Sequence, residues 1–302
     1  MLTVLNLYKS YLSGNTKYPV LKDISLEIAP GEFTAVMGPS GSGKTTLLNC
    51  ISCYLPADSG SILLNGTNLT RLNETEISKI RNEKLGFIFQ DFLLLDGLTV
   101  LENIMIPRII GEHVDSSMEK RAAKLCEIFG ISHIKNKYPA DISGGEKQRT
   151  AVARALMNNP EIILADEPTG NLDSRSSRAV IDSFLQAKKE LNATIFMVTH
   201  DSFAASFCDK VIILEDGCVR HTLVRGNAKR LAFQDRLLAF IRLPFVFCPA
   251  DYRLLPDDVF PYGAKYPSSG RRFTQTGDDD FCSRRHRLCC VYPLCRRPFF
   301  PF

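Results

Sequence analysis

The chain has 302 residues, of which 45% are hydrophobic, and a formal net charge of +4. This length and composition suffice for the core of one large domain or two small ones, and no apolar run reaches the ~18 to 20 residues of a membrane span. The N-terminus, "MLTVLNLYKSY", lacks the charged start, long apolar run and cleavage site of a signal peptide, so we expect a soluble, cytoplasmic chain.

The positive charge is concentrated near the C-terminus. Residues 244–302 contain nine Lys and Arg against six Asp, whereas residues 1–243 contain 28 basic and 27 acidic side chains. Because the body of the chain is nearly neutral, it gives no electrostatic reason to expect nucleic acid as a partner.

Predicted strands and helices alternate along this body. "LKDISLEIAPGEF" and "GSILLNGTNLT" contain Pro-Gly and Asn-Gly turns, which predict an antiparallel flank. "EFTAVMG" followed by "KTTLLNCISCYL" reads as strand, loop and helix, and residues 97–140 are largely helical. "EIILADEP" and "ATIFMVTHD" are typical of buried parallel strands, and "DSRSSRAVIDSFLQAKKELN" between them opens with helix-capping residues. The pattern predicts a parallel α/β core with an antiparallel edge and an inserted helical subdomain.

A phosphate site is predicted at residues 38–45, "GPSGSGKT". They match the P-loop pattern G-x-x-x-x-G-K-[ST], and a predicted strand and helix lie on either side. The glycines let backbone N–H groups turn toward phosphate oxygens, and Lys44 adds a mobile positive charge. The Thr45 hydroxyl is an oxygen ligand of the kind that Mg²⁺ prefers.

Acidic residues and a histidine follow two further predicted strands. "IILADEP" places Asp166 at a strand end and Glu167 directly after it. An acidic pair alone is more often a solvated strand end, but a P-loop needs a carboxylate for its metal. We therefore predict that Asp166 reaches Mg²⁺ through water and that Glu167 polarises an attacking water as general base. His200, in "IFMVTHD", is predicted to contact the γ-phosphate.

A second anion site is predicted at residues 142–150, "ISGGEKQRT". A serine and two glycines precede the helix-like run "QRTAVARAL", and a helix N-terminus attracts anions. One chain thus carries two predicted phosphate sites, and the upstream one at residues 38–45 is the better anion site of the two.

Together these motifs resemble the nucleotide-binding subunit of an ABC transporter, over about residues 1–243. The resemblance implies an ABC-type P-loop NTPase fold, ATP hydrolysis, and ATP and Mg²⁺ as cofactors. Glu146 stands where many members have Gln. The implied site residues are Tyr11 stacking on adenine; Gly38, Pro39, Ser40, Gly41, Ser42, Gly43, Lys44, Thr45 and Thr46 as Walker A; Gln90 of the Q-loop, with Thr45 and Asp166 at the Mg²⁺; Ser143, Gly144 and Gly145 as the signature; Asp166 and Glu167 as Walker B; Asp173 of the D-loop "GNLD"; and His200 as the switch histidine.

The resemblance also implies the partners. Two copies of the subunit would pair head to tail, so that each signature loop closes on the ATP held by the other copy's Walker A. The subunit would serve an integral-membrane permease and lie peripherally on the inner face of the cell membrane. The second phosphate site would therefore serve the partner's nucleotide.

The subfamily is indicated by longer stretches. "LGFIFQDFLLLDGLTVLENIMIP", "LADEPTGNLDS" and "MVTHDSFAASFCDKVIILEDG" resemble subunits of the macrolide-exporter and lipoprotein-releasing group. "FIFQDF", "HDSFAASF" and "RGNAKRLAFQDRLLAFI" are most similar to bacitracin-type peptide-antibiotic resistance transporters, although Leu93 replaces an expected Asn. The expected function is ATP-driven export or removal of a peptide antibiotic or a lipid-linked substrate.

Other classes of ABC ATPase fit less well. A regulatory ATPase of the cell-division type shares these motifs and stays as the alternative. A DNA-repair ATPase would need a long coiled coil between Gln90 and Ser143, where only 52 residues intervene. A translation factor would carry two cassettes, and a binding module without catalysis would be expected to lose Lys44 or Glu167.

The domain limits predicted from these observations are residues 1–222 for the ATPase domain, with a helical subdomain at about 91–150, and 223–243 for a C-terminal helix. Residues 244–302 hold five of ten Cys and eight of sixteen Pro but no Glu. This change of composition is typical of a shifted reading frame, so we expect this tail to be poorly ordered and without function. A metal-binding or partner-binding appendage is the alternative. Cys50 and Cys53 are interpreted as packing residues.

Overall fold

The computed structural model describes residues 1–111, 115, 117–170 and 172–242, which belong to the first of two compact units, Met1–Cys248. The predicted tail, residues 244–302, lies outside the described residues. The strands are β1 (Leu2–Ser13), β2 (Thr16–Ile28), β3 (Phe33–Met37), β4 (Ser59–Leu64), β5 (Thr67–Asn68), β6 (Leu85–Ile88), β7 (Ile162–Asp166), β8 (Ile195–Val198), β9 (Lys210–Glu215) and β10 (Cys218–Val224). The helices are α1 (Lys44–Ile51), α2 (Glu74–Glu83), α3 (Val100–Ile110), α4 (Met118–Ile128), α5 (Gly144–Ala155), α6 (Ser174–Leu191), α7 (Ser202–Ala205) and α8 (Arg230–Arg242).

The strands form two sheets. The six-stranded sheet has the order β10-β9-β3-β8-β7-β6, in which the five strands from β9 to β6 run parallel and β10 is antiparallel to β9. The four-stranded sheet, β2-β1-β4-β5, is antiparallel throughout. The predicted parallel core and antiparallel flank are both present.

Both faces of the parallel sheet are covered. Because side chains alternate along a strand, Leu164 of β7 packs with α1 and the antiparallel sheet, whereas its neighbours Ile163 and Ala165 pack with the helices on the other face. In β8, Phe196 likewise packs on the face of α1 and the antiparallel sheet, and Met197 packs with the helices on the other face. Burial on both faces explains why these strands read as continuous apolar runs.

The carboxyl ends of the parallel strands position the site. β3, β8, β7 and β6 are adjacent and point the same way, so the loops that follow them meet at one edge of the sheet. The long helices α3, α4 and α5 lie in the chain between β6 and β7. In the described part of the chain, no helix is long and apolar enough to cross a membrane.

Two local predictions need correction. The Pro30–Gly31 turn does not close a hairpin, because it leads from β2 in one sheet to β3 in the other. Gly31 adopts φ +70 there, and a Cβ would lie 2.4 Å from Asn192 Oδ1. The predicted C-terminal helix at 223–243 begins only at Arg230, since residues up to Val224 pair with β9 as β10. By contrast, the Asn65–Gly66 turn does join paired strands, β4 and β5.

Candidate functional site

The P-loop connects β3 to α1 through residues 38–43. Gly41 and Gly43 have φ of +80 and +100, a left-handed conformation that costs glycine little. Gly38 has no room for a side chain, because a Cβ would lie 2.0 Å from the carbonyl oxygen of Leu214 and 2.8 Å from Ser42 Oγ. The loop therefore brings its backbone close to the N-terminus of α1, where N–H groups remain available to an anion.

Lys44 opens α1 and folds back over this loop. Its Nζ donates to the carbonyl oxygens of Gly38 and Pro39 at 2.9 Å each. Burial lowers the pKa of Lys44, while the nearby charges of Glu167 and Asp166 act in the opposite direction. Lys44 therefore lies close enough to the carboxylates of Asp166 and Glu167 for their charges to affect its pKa.

Asp166 ends β7, and its Oδ1 atom is buried. The pKa of Asp166 is raised, and burial is the largest cause. The neighbouring charge of Glu167 raises this pKa further, whereas the charge of Lys44 lowers it. Its Oδ1 has no hydrogen-bond partner among the residues that the structure describes. A buried carboxylate oxygen in this condition is costly, and a cation would offset the cost.

Glu167 and His200 meet beyond the ends of β7 and β8. His200 Nδ1 and Glu167 Oε2 are 2.7 Å apart, and the ring of His200 is largely exposed. Glu167 adopts φ +45, an uncommon conformation for a residue with a side chain. Its N–H donates to the Val198 carbonyl at 2.9 Å, which ties the strained residue to β8. The sequence analysis predicted these two residues at the ends of two different strands, and in the structure their side chains are in contact.

Gln90 and Tyr11 contact different elements around the site. Gln90 follows β6, and a Cβ at Gly170 would lie 3.1 Å from its Nε2, so the Q-loop borders the turn after β7. The Tyr11 hydroxyl lies 3.4 Å from Thr46 Oγ1, a contact that links β1 to α1, and Tyr11 is 44% exposed. An exposed ring beside α1 is available for stacking on a base.

The residues of the predicted second anion site lie at the N-terminus of α5. Ser143 caps the helix in a capping box with Glu146: the Ser143 hydroxyl donates to Glu146 Oε2 at 2.7 Å, and the Glu146 N–H donates back to Ser143 Oγ. His133 Nε2 lies 3.2 Å from Glu146 Oε1. The bond with Ser143 is the largest cause of the lowered pKa of Glu146, and His133 contributes.

The signature loop neighbours the D-loop rather than the P-loop. A Cβ at Gly144 would lie 3.2 Å from Leu172 Cδ2, and one at Gly145 would lie 3.6 Å from Ser176. Asp173 caps α6 by accepting the N–H groups of Arg175 and Ser176 at 2.9 and 3.0 Å. None of these contacts, in the part of the chain that the structure describes, involves residues 38–46.

Two residues that the sequence analysis passed over connect α5 to the site. Arg154 donates to the carbonyl oxygens of Leu93 and Phe92, both at positive φ in the Q-loop, and burial lowers its pKa to about 10. Gln148 is fully buried and donates to the Pro168 carbonyl beside Glu167 at 3.0 Å. Gln148 could have been noticed in the sequence, because it is the polar residue in an otherwise apolar stripe of α5. The other members of this stripe, at helical spacing, are Ala151, Val152 and Ala155.

Cys50 lies in a core cluster and the partly buried Cys53 packs against it, in agreement with their interpretation as packing residues. Burial raises the pKa of Cys50 to about 12 and that of Cys53 to about 11, so both remain thiols at neutral pH. Within the described residues, no cluster of three potential metal ligands of the His, Cys, Asp or Glu type occurs.

The residues fit a nucleotide with magnesium. Three features of the P-loop suit phosphate oxygens. The backbone at Gly38 leaves no room for a side chain, and the buried Ser42 hydroxyl has no hydrogen-bond partner among the described residues. The hydrogen bonds of Lys44 Nζ described above go only to carbonyls of its own loop. The hydroxyl of Thr45 and the carboxylate of Asp166 supply hard oxygen ligands. The fold and site together define a P-loop ATPase.

The particular family follows from comparison with known proteins. The family model described as ABC transporter matches residues 21–170. The chain belongs to the ABC transporter family as an ATP-binding subunit that hydrolyses ATP. The family, the fold class and the ATPase activity predicted from the sequence are thereby confirmed.

The relatives are similar over most of their length. The ABC transporter ATP-binding protein YxdL of Bacillus subtilis is 46% identical, over 78% of this chain and 92% of its own. The bacitracin export ATP-binding protein BceA of Halalkalibacterium halodurans is 45% identical, over 77% of this chain and 92% of its own. The dimeric post-hydrolysis structure of the cassette MJ0796 of Methanocaldococcus jannaschii, bound to ADP and Pi, is 38% identical with a TM-score of 0.67, covering 74% of this chain and 98% of that one.

Proposed function

We propose that the edge of the parallel sheet binds ATP through Tyr11, the P-loop and the Q-loop. Tyr11 stacks on the adenine, and residues 38–46 surround the phosphates with Lys44 at the β- and γ-phosphates. Thr45, Gln90 and, through water, Asp166 hold Mg²⁺. A magnesium ion held by these residues would neutralise charge that develops during phosphoryl transfer.

Hydrolysis is assigned to Glu167 as general base and to His200 as its neighbour at the γ-phosphate. The contact of 2.7 Å between Glu167 Oε2 and His200 Nδ1 is the observation that carries this proposal. Because the two residues follow adjacent strands, the histidine fixes the carboxylate where a water beside the γ-phosphate would lie. His200 is exposed enough to reach the substrate as well.

A second copy of this chain is the proposed partner at the nucleotide. The N-terminus of α5, with Ser143, Gly144 and Gly145, forms the second proposed anion site. In a head-to-tail pair this site closes on the γ-phosphate held by the other copy, and Asp173 of the neighbouring D-loop lies at the same face. The dimeric state of the MJ0796 structure supports this arrangement. ATP binding then joins the two copies and hydrolysis separates them.

A cleft beside the Q-loop is the proposed docking site for the permease. It has a volume of about 380 Å³ and lies between α2, α3 and α5. Its wall includes the exposed apolar side chains of Tyr54 and Ile110 and the guanidinium groups of Arg81 and Arg154. This combination suits a short amphipathic helix of a cytoplasmic permease loop that carries an acidic residue. Arg154 also holds the Leu93 carbonyl, so the cleft and the Q-loop share a residue.

Ile110→Asp is expected to weaken binding to the permease by about tenfold or more, because it removes an apolar contact and adds a charge that repels an acidic helix. ATP hydrolysis by the isolated chain should not change. The measurement is co-purification with the permease. Leu231→Asp is the matched control, since Leu231 is a similarly exposed apolar residue on α8. Equal loss in both variants would contradict docking in the cleft.

The transported substrate is proposed to be a peptide antibiotic of the bacitracin type or a lipid-linked molecule bound by it. The name and 45% identity of BceA support this class. The chain would then act at the cytoplasmic face of the cell membrane through its permease. A regulatory role of the cell-division type is less favoured, because the relatives described are named for transport or export.

Expression of the chain together with its permease tests the substrate class. A sensitive host should gain bacitracin resistance with the unmodified chain and should lose that gain with Lys44→Ala. If Lys44→Ala gives the same resistance, ATP-driven removal is not the mechanism. If the unmodified pair hydrolyses ATP but gives no resistance, the substrate class is wrong while the ATPase assignment holds.

A further inference from the structure

Gln148 joins the signature helix to the catalytic turn. Its Nε2 donates to the Pro168 carbonyl at 3.0 Å, and its side chain is fully buried. Its Oε1 has no hydrogen-bond partner among the described residues. A buried side-chain amide whose N–H donates a hydrogen bond but whose oxygen accepts none contributes little to the free energy of unfolding. An apolar side chain of similar size would suit the stripe formed with Val152 better, so stability alone does not account for this glutamine.

The turn that Gln148 contacts contains the proposed general base. Glu167 has φ +45, and such a conformation persists only where the surroundings hold it. Its N–H is held by Val198 of β8, and its carbonyl accepts the N–H of Gly170 at 2.9 Å. Those two bonds lie within the sheet edge and the turn. The bond from Gln148 reaches the turn from α5, so a movement of α5 is transmitted to the residue next to Glu167.

We propose that Gln148 is a positioning residue that couples the signature loop of a chain to the general base of the same chain. The proposal rests on the composite ATP sites proposed above. Ser143, at the start of α5, contacts the nucleotide held by the partner, whereas Glu167 acts on the nucleotide held by its own P-loop. Correct seating of the partner's nucleotide thus aligns the base for the chain's own ATP. The two sites of the dimer are linked through one turn and a half of α5.

Gln148→Met removes the N–H donor with little change in volume. The turnover number should fall by about 10- to 100-fold because the base is misplaced, while KM for ATP stays within about twofold. Dimers with bound ATP should accumulate, since binding persists and hydrolysis is slow. Gln148→Leu removes the same donor with a different shape and should give the same split. A raised KM with loss of the dimer would show a merely structural role and overturn the proposal.

Thr150→Val is the matched control on the same helix. Thr150 is also buried, but its hydroxyl donates to the Glu146 carbonyl within α5 at 2.8 Å and does not contact the catalytic turn. Its turnover should equal that of the unmodified chain. Equal losses in Thr150→Val and Gln148→Met would mean that any polar deletion in α5 has this effect, and the proposal would fail.

Mixed dimers test the coupling directly. A dimer of one unmodified chain and one Ser143→Arg chain retains every part of one composite site, the site at the P-loop of the Ser143→Arg chain. The proposal expects that site to hydrolyse ATP about 10- to 100-fold more slowly than a site of the unmodified dimer, because the altered signature loop cannot seat the other nucleotide and Glu167 of that chain is then misplaced. Turnover at half the rate of the unmodified dimer would overturn the coupling. If Lys44→Ala and Ser143→Arg chains recover no dimer on mixing, the composite site itself fails instead.

Discussion

Replacing Glu167 with glutamine is expected to abolish ATP turnover while ATP binding persists. The amide keeps the size of the side chain and a polar contact to His200, but it cannot accept a proton from the attacking water. Losing a positioned general base typically lowers the rate by about 10² to 10⁴. Lys44 and the P-loop are unchanged in this variant, so the phosphates are still held. The measurement is steady-state hydrolysis by the purified chain in complex with its permease, alongside equilibrium ATP binding.

Glu161→Gln provides a control just before the start of the same strand. Glu161 forms an ion pair with Lys84 at 2.7 Å and lies at the amino end of β7, away from the loops that form the site. Its loss removes a partly exposed ion pair, whose contribution to stability is small, and turnover should stay at the level of the unmodified chain. Hydrolysis by Glu167→Gln at that same level would show that Glu167 is not the base.

Most of the candidate nucleotide site could be proposed from the sequence because its motifs are local. The P-loop requires glycines and a lysine at fixed spacing, and the physical need for them, left-handed backbone and close approach, is visible at Gly38 and Gly43. Asp166 and Glu167 follow an apolar run whose length and β-branched content indicate a buried strand. For these residues the sequence neighbours and the spatial neighbours are largely the same.

Contacts between distant segments could not be predicted in this way. The bond of Gln148 to Pro168 spans 20 residues and that of Arg154 to Phe92 spans 62, and each depends on how α5 packs against the sheet edge. The Pro30–Gly31 turn was misassigned for a related reason. A turn motif specifies a local reversal of the chain, but whether the two strands pair depends on where each finds its hydrogen-bonding partner, and here β2 and β3 join different sheets.

Mixed dimers of Lys44→Ala and Ser143→Arg chains are expected to recover nucleotide-dependent dimerisation that neither variant shows alone. Lys44→Ala removes the charge that we propose to face the phosphates. Ser143→Arg removes the helix cap, at a cost of about 1 kcal/mol, and places a bulky cation where a γ-phosphate should meet the N-terminus of α5. Each homodimer contains two damaged sites. In the mixed dimer both changes fall in one composite site, and the other site is intact.

The arrangement of the changes gives the decisive comparison. A chain that carries both Lys44→Ala and Ser143→Arg, paired with an unmodified chain, contains the same changes but has one in each composite site. Cross-linking of differently tagged copies should therefore detect dimers in the first mixture and few in the second. Asn73→Arg, at the capping box of α2, controls for the loss of a helix cap and should dimerise normally. If each chain instead completed its own ATP site with its own signature loop, the mixture containing the unmodified chain would be the active one, because that chain would hold an undamaged site. Recovery only when the changes lie on opposite chains requires that Ser143 of one copy contact the nucleotide held by Lys44 of the other.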